Sequence, residues 1–144
     1  MSTPPVAATA VTTIPLLMHK VFHDFHGELH DLPLNRTHMK ALMVIYMEES
    51  PHMTKVCHHM NMEKGSLTPV VDSLIELELV RRRRDPHDRR KVILGLTQKG
   101  GGLVESHLER VHRHVQKKLE RLPKRDVERF KRALQDLHEI TQKL

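Results

Sequence analysis

The residues best equipped for chemistry stand together in one run, RRRRDPHDRRK, from Arg81 to Lys91. It sets seven basic residues against Asp85 and Asp88, a net +5 out of a formal +6 for the whole chain. Arginine stays charged at any physiological pH and offers a planar fork of donors that matches a phosphate. The run is therefore suited to grip a polyanion. A basic run standing alone is just as often a solvated loop, so its setting decides between the two.

Histidines form the second group, thirteen in all. His19, His23, His26 and His30 fall at i, i+4, i+7 and i+11, a single line on a helix beside the apolar line Met18, Phe22, Phe25 and Leu29. Asp24 and Glu28 lie in the same stretch, and His107, His112, His114, Glu105 and Glu109 follow later. Imidazoles four apart can share a divalent metal, titrate within an interface, or form a solvated stripe. The sequence leaves all three open.

Other chemistry is thinly represented. There is no His-Glu-x-x-His motif, no Gly-rich phosphate loop and no nucleophile beside a base in a motif context, so neither an enzyme nor a cofactor is expected. The one cysteine, Cys57, excludes an intrachain disulfide and a Cys-pair zinc site, which fits a reducing compartment. No stretch approaches a membrane span and no signal peptide is evident. The expected address is the cytoplasm, with no membrane partner.

The elements that must position the basic run can be read on either side of it. Leu79-Val80 precede it, and Val92, Leu94 and Leu96 alternate after it as a half-buried strand would. Asp85-Pro86-His87-Asp88 is turn chemistry, with proline fixing φ and two carboxylates able to bond nearby amides. This predicts a hairpin with a basic tip, which must be docked on a helical core because an isolated two-stranded hairpin is barely stable.

The core reads as helices. Leu16, Leu17, Val21, Phe22, Phe25, Leu29 and Leu32 recur at threes and fours and predict a first helix of about 15 residues, ended by Pro33. Met39 to Met47 predict a second, with Thr37 as N-cap. A short third runs from a Thr54 cap to Met60, burying Val56, Cys57 and Met60, and Asn61-Met62 makes a turn. The fourth buries Leu67, Val70, Val71, Leu74, Ile75 and Leu77. Pro69 is tolerable there if Ser66 is the N-cap, because a proline at the third position forfeits no helical bond.

Two short helices leading into a basic hairpin form a winged helix-turn-helix. The stretch from Thr54 to Gly100 resembles that of the MarR family of bacterial transcriptional regulators, through Asp88-Arg89-Arg90, the strand Lys91 to Gly95, and Leu96-Thr97. Glu78 departs from the pattern, standing where the family usually has Gly at the end of its recognition helix. The resemblance implies a mainly α fold with a small β-hairpin wing and long dimerisation helices at both ends. It implies a sequence-specific double-stranded-DNA-binding regulator, a repressor released by a small-molecule effector, acting as a homodimer on a pseudo-palindromic operator. Carried over by position, Lys64, Gly65, Ser66, Thr68 and Pro69 face the major groove. Arg90 reaches the minor groove, Asp88 braces the wing, and Arg84 and Arg89 reach phosphates or share the work of Arg90.

Gly65-Ser66-Leu67-Thr68-Pro69 also resembles the organic-hydroperoxide-sensing branch of that family, which senses through a first-helix cysteine supported by tyrosines. Here the first helix has no cysteine and Tyr46 is the only tyrosine, so no peroxide sensing is expected. The family's zinc sensors carry an acidic-His pair where this chain has Met39-Lys40. A His-rich metal-binding protein or metal-responsive regulator is the alternative, with no metal ligands assigned.

At 144 residues, 38% hydrophobic and 29% charged, the chain has room for one domain with a core of Leu, Val, Ile and Met. Aromatics at 3% and no Trp argue against a base-stacking platform for single strands. The expected organisation is a disordered tail at 1–13 and a single domain over 14–144. That domain divides into a winged lobe at about 35–100 and dimerisation helices at about 14–32 and 101–144. Val104, Leu108, Val111, Val115, Leu119 and Leu122, then, past Pro123, Val127, Phe130, Leu134, Leu137 and Leu144, make stripes too long for the lobe alone to cover. Gly100-Gly101-Gly102 at the start of the fifth helix reads either as a frayed start capped by Thr97 or as a hinge.

Overall fold

The computed structural model describes residues 6–26 and 32–144. Six helices and one hairpin follow in order: α1 (Val6–Phe22), α2 (Arg36–Met47), α3 (Met53–Met60), α4 (Lys64–Glu76), β1 (Val80–Arg84), β2 (Val92–Leu96), α5 (Gln98–Leu119) and α6 (Lys124–Thr141). The chain parts into two compact units, Glu28–Glu109 and Met1–Gly27 with Arg110–Leu144. No described helix is long and apolar enough to cross a membrane.

The first unit is built on aliphatic packing. Leu42, Ile45, Val56, Leu67, Val71, Leu74, Leu79, Leu94 and Val104 are almost wholly buried in one cluster, which draws on the helices and the hairpin of the unit alike. At 25 cal/mol per Å2, each buried Leu or Ile is worth about 2 kcal/mol, and this core holds the unit together without a large aromatic. α2 is capped by Asn35, whose side chain accepts the His38 amide at 3.0 Å while the His38 ring receives the Asn35 amide at 3.2 Å. Thr37, expected as the cap, lies inside the helix, because this reciprocal pair satisfies the end two residues earlier. α3 likewise begins at Met53, ahead of the expected Thr54 cap. Asn61 ends it in the left-handed region at φ 51°, a conformation asparagine tolerates.

α4 corrects the reading of Pro69. The helix starts at Lys64, since the amides of Ser66 and Leu67 both bond the Glu63 carbonyl. Ser66 is therefore not its cap, and Pro69 is its sixth residue. The missing Pro69 amide leaves the Gly65 carbonyl without its helical donor, and Gly65 is exposed with open space around it, so water can serve instead.

At the other end of α4, Leu79 donates to the Leu74 carbonyl and Glu78 to the Ile75 carbonyl, both at 2.9 Å, with Leu74 and Leu79 fully buried. This is a Schellman ending. It requires Glu78 to take φ 60°, the conformation a glycine would adopt freely.

The hairpin is antiparallel, with Val80 opposite Leu96, Arg82 opposite Leu94 and Arg84 opposite Val92. Arg81–Arg84 thus lie in a strand, and the tip is confined to Asp85–Lys91. Leu94 is buried and Leu96 half-buried, but Val92, expected on the inner face, is exposed because it sits next to the tip. A third backbone segment holds the hairpin: the Leu94 amide donates to the Pro51 carbonyl at 2.9 Å and His52 bridges to Ile93.

α5 begins against the same junction. Thr97 caps it: its hydroxyl oxygen accepts the Gly100 amide at 3.0 Å, and its O–H donates to the Glu78 carbonyl at 2.6 Å. Gly100 is buried, and a Cβ there would lie 2.0 Å from the Leu79 carbonyl oxygen. Nothing lies within 4 Å of the same position on Gly101 or Gly102. One glycine of the three is thus a packing requirement.

In the second unit, residues 6–13 are helical, correcting the expected tail over 1–13; Met1–Pro5 lie outside the described residues. Ala7, Ala8 and Ala10 supply the helix propensity that the Thr and Pro content obscures. α1 ends at Phe22, earlier than the expected Pro33, because the Val21 carbonyl is taken by His114 Nε2 at 2.7 Å while Phe25 bonds Phe22. Asp24 joins Lys118 at 2.6 Å, which holds its carboxyl below the usual range. α1 and α6 bury no residue, and Ile14, Leu16, Met18, Leu134, Leu137 and Ile140 all stand exposed.

Three substitutions around the Leu79 junction follow. Gly100→Ala should destabilise the fold by about 2 kcal/mol or more, since backbone must move, whereas Gly101→Ala should stabilise by up to about 1 kcal/mol through helix propensity. Glu78→Gly should add about 1 kcal/mol by relieving the left-handed strain. Urea denaturation of the three variants checks this; equal effects at Gly100 and Gly101 would contradict the packing account.

Candidate nucleic-acid interface

α3, α4 and the hairpin enclose a groove of about 800 Å3, walled by Lys55 and His58, by Lys64 and Thr68, and by Arg82, Arg90 and Lys91. These belong to three separate parts of one unit, brought together by the turn at Asn61 and by the Leu79 junction.

Each residue expected at the site can be placed. Lys64, Gly65, Ser66 and Pro69 are exposed along the first turns of α4, and Thr68 is half-buried. The Thr68 hydroxyl donates to the Lys64 carbonyl at 2.7 Å, and its oxygen keeps lone pairs free to accept from an incoming group. Arg84 is exposed at the end of β1, and Arg89 and Arg90 are exposed in the tip. Of these, Lys64, Thr68 and Arg90 share the groove; Arg84 and Arg89 do not line it.

Asp88 accepts the Arg90 amide at 3.0 Å and lies 3.9 Å from Lys91 Nζ, so it shapes the turn that presents Arg90. The main brace is a different carboxylate. Asp85, 8% exposed, accepts the His87 amide at 2.7 Å and the Asp88 amide at 3.3 Å through one oxygen, and meets His52 Nε2 at 2.6 Å through the other. The Asp85 amide meanwhile donates to the Lys91 carbonyl at 3.0 Å, closing the loop. The His87 amide first, and then the His52 ring, hold its carboxyl below the ordinary value, because each favours the ionised form. The two aspartates of the turn are visible in the sequence, but His52, 33 residues away, is not.

A second tie has no sequence signal at all. Arg82 reaches Asp72 of α4 at 2.7 Å and so joins the strand to the helix. On α3, Lys55 pairs with Glu48, as does His59 at 2.8 Å, and Lys55 above all lowers the Glu48 carboxyl. Such exposed pairs contribute little stability, and their effect here is to fix where charge sits.

The predicted histidine line is interrupted within the described residues. His19 lies in α1 and stacks on His23 at 5.1 Å, but His23 and His26 lie beyond the helix end, and His30 and Glu28 fall outside the described residues. Among the described residues no three His, Cys, Asp or Glu side chains are placed to hold a metal. Cys57 is half-buried.

Residues 34–92, the helix-turn-helix and most of the hairpin, match the model of the MarR family. Over those residues the chain is similar to the MarR family. It is 33% identical over 76 residues to the HTH-type transcriptional regulator MhqR of Bacillus subtilis (strain 168), covering 53% of this chain and 52% of that protein. It is 28% identical over 69 residues to the organic hydroperoxide resistance transcriptional regulator of the same organism, covering 48% and 47%. The aligned region thus spans about half the length of these curated relatives. The fold matches a MarR family protein from Bacillus stearothermophilus with TM-score 0.78 at 22% identity, over 99% of both chains. It also matches a mutant of MarR from E. coli with TM-score 0.74 at 20% identity, over 95% and 98%. In this chain the hairpin tip is anchored by Asp85, with Asp88 as the local turn former.

Because the Asp85 carboxyl is depressed, its stabilising contribution is complete above the ordinary carboxylate value and is lost as pH falls through the lowered one. Wild-type amide exchange at His87 and Asp88 should therefore be slow at neutral pH and lose its protection on acidification. Asp85→Ala should show that loss of protection already at neutral pH, with little change in global melting. Identical protection in the two proteins would remove Asp85 from this role.

Proposed function

We propose that this chain is a sequence-specific double-stranded-DNA-binding transcriptional regulator, a homodimeric repressor released by a small-molecule effector, and not an enzyme. Its partner would be a pseudo-palindromic operator in the cytoplasm. The observation that carries the reading is the groove in which exposed Lys64 and the hydroxyl of Thr68 on α4 face Arg90 and Lys91 of the hairpin. A helix front with short polar side chains suits base edges in a major groove, and a guanidinium on a braced tip suits the adjoining backbone or minor groove. Pro69 offers van der Waals contact and no donor, so α4 supplies fit and the wing supplies much of the affinity. In this division of roles Lys64, Gly65, Ser66, Thr68 and Pro69 meet the major groove. Arg84 and Arg89 meet phosphates, Arg90 enters the minor groove, and Asp88 sets its approach.

The uncovered apolar residues of α1 and α6 support the dimer, since Ile14, Leu16, Leu134, Leu137 and Ile140 are 42% to 55% exposed in the single chain. Two lobes related by a two-fold axis would meet two half-sites about one helical turn apart.

Two experiments test this reading. Leu134→Asp should lower dimer content in sedimentation and weaken operator binding in parallel; a stable monomer that binds at full strength would refute the assembly. Arg90→Ala should cost about 1–3 kcal/mol of specific binding without unfolding the exposed tip. It should also reduce the slope of affinity against salt by roughly one per protomer. Unchanged affinity and slope would mean the hairpin is a solvated loop.

A further inference from the structure

His58 lines the groove beside the residues assigned to DNA contact. Half of the groove's basic side chains are already paired: Arg82 with Asp72, Lys55 and His59 with Glu48, and His52 with Asp85. Lys91 lies 3.9 Å from Asp88, a loose pairing. Lys64, Arg90 and His58 make no ion pair among the described residues, and all three are exposed and line the same groove. His58 sits on the side formed by α3, with its ring 6.3 Å from that of His59 and edge-on to it. The charged groups lining the groove with it are Lys55 on its own helix, Lys64 on α4, and Arg82, Arg90 and Lys91 on the hairpin. His52, from the connection before α3, and His59 complete the titratable set. Among the described residues no carboxylate lines the groove.

An exposed imidazole changes charge near neutral pH, unlike the lysine and arginine beside it. A phosphate entering the groove would favour the imidazolium, because an opposite charge within hydrogen-bond range stabilises the charged form. Binding is then linked to proton uptake. We propose that His58 is a proton-dependent phosphate contact, so that DNA binding tightens as pH falls through the imidazole range. This rests on the DNA-binding reading and adds α3 to the contact face. The direction follows from the linkage. A group that gains a proton more readily in the complex contributes fully below its free value, and loses that contribution as pH rises through its bound one. A one-unit difference corresponds to about tenfold in affinity per protomer.

The test uses fluorescence anisotropy with a duplex selected by the protein itself from a random-sequence pool, at pH 6 and pH 8. Wild type should bind about tenfold tighter per protomer at pH 6, with a salt slope steeper by roughly one per protomer than at pH 8. His58→Gln should bind at the wild-type pH 8 level at both values, and His58→Arg should bind tightly at both. Wild-type affinity that is the same at both pH values, or a full pH response retained by His58→Gln, overturns the proposal while leaving the DNA reading intact. No binding to any duplex at either pH overturns the DNA reading, and the proton contact with it.

Discussion

Three segments converge on the backbone of Leu79, and the arrangement of α4, the hairpin and the start of α5 depends on that convergence. The Leu79 amide closes α4 on Leu74, and its carbonyl accepts the Thr97 amide at 3.0 Å. The same carbonyl oxygen packs against Gly100 so closely that no side chain fits there. The end of the helix, the base of the hairpin and the start of α5 are thereby fixed around a single residue. Once the base is set, β1 leaves in a single direction, and Arg82 reaches Asp72 on α4. A buried amide and carbonyl cannot be left unpaired without a cost of about 1–3 kcal/mol each, so this junction admits few alternatives.

From that base the electrostatics sort themselves into structure and function. Asp85, Asp72 and Glu48 each hold one or two basic side chains in place. Lys64 and Arg90 make no ion pair among the described residues and share one groove, and free charge facing water is what a phosphate backbone can exchange for its counterions. The net +5 of the basic run thus overstates the charge left unpaired in the hairpin, since Arg82 is already paired, and the groove also draws Lys64 and His58 from other helices.

The hairpin, the helix-turn-helix and their order are legible in the sequence because alternation, threefold and fourfold spacing and turn residues are local signals. The exposure of Lys64, Ser66 and Arg90 is legible for the same reason. A proline rule confined to the first turn misplaces the start of α4, because an open glycine at position 65 lets the helix carry Pro69 in its second turn. The extent of α1 escapes the sequence at both ends. Its alanine-rich start resembles a tail, and a carbonyl captured by His114 from far along the chain ends the helix early. Asp85 is indistinguishable from Asp88 as a turn residue until its decisive partner, His52, arrives as a tertiary neighbour. Gly100 shows the same limit: three adjacent glycines look alike in sequence, and only packing distinguishes the first.

The central claim is that the front of α4 and the tip of the hairpin form one contact face for DNA. Amide chemical-shift mapping during titration with a bound duplex addresses it in a single experiment. The account predicts that the shifts concentrate at Lys64–Thr68 and at Asp85–Lys91, moving together with one apparent affinity, while α6 stays unperturbed. Shifts confined to α1 or α6, or a hairpin tip that does not respond while α4 does, would contradict it.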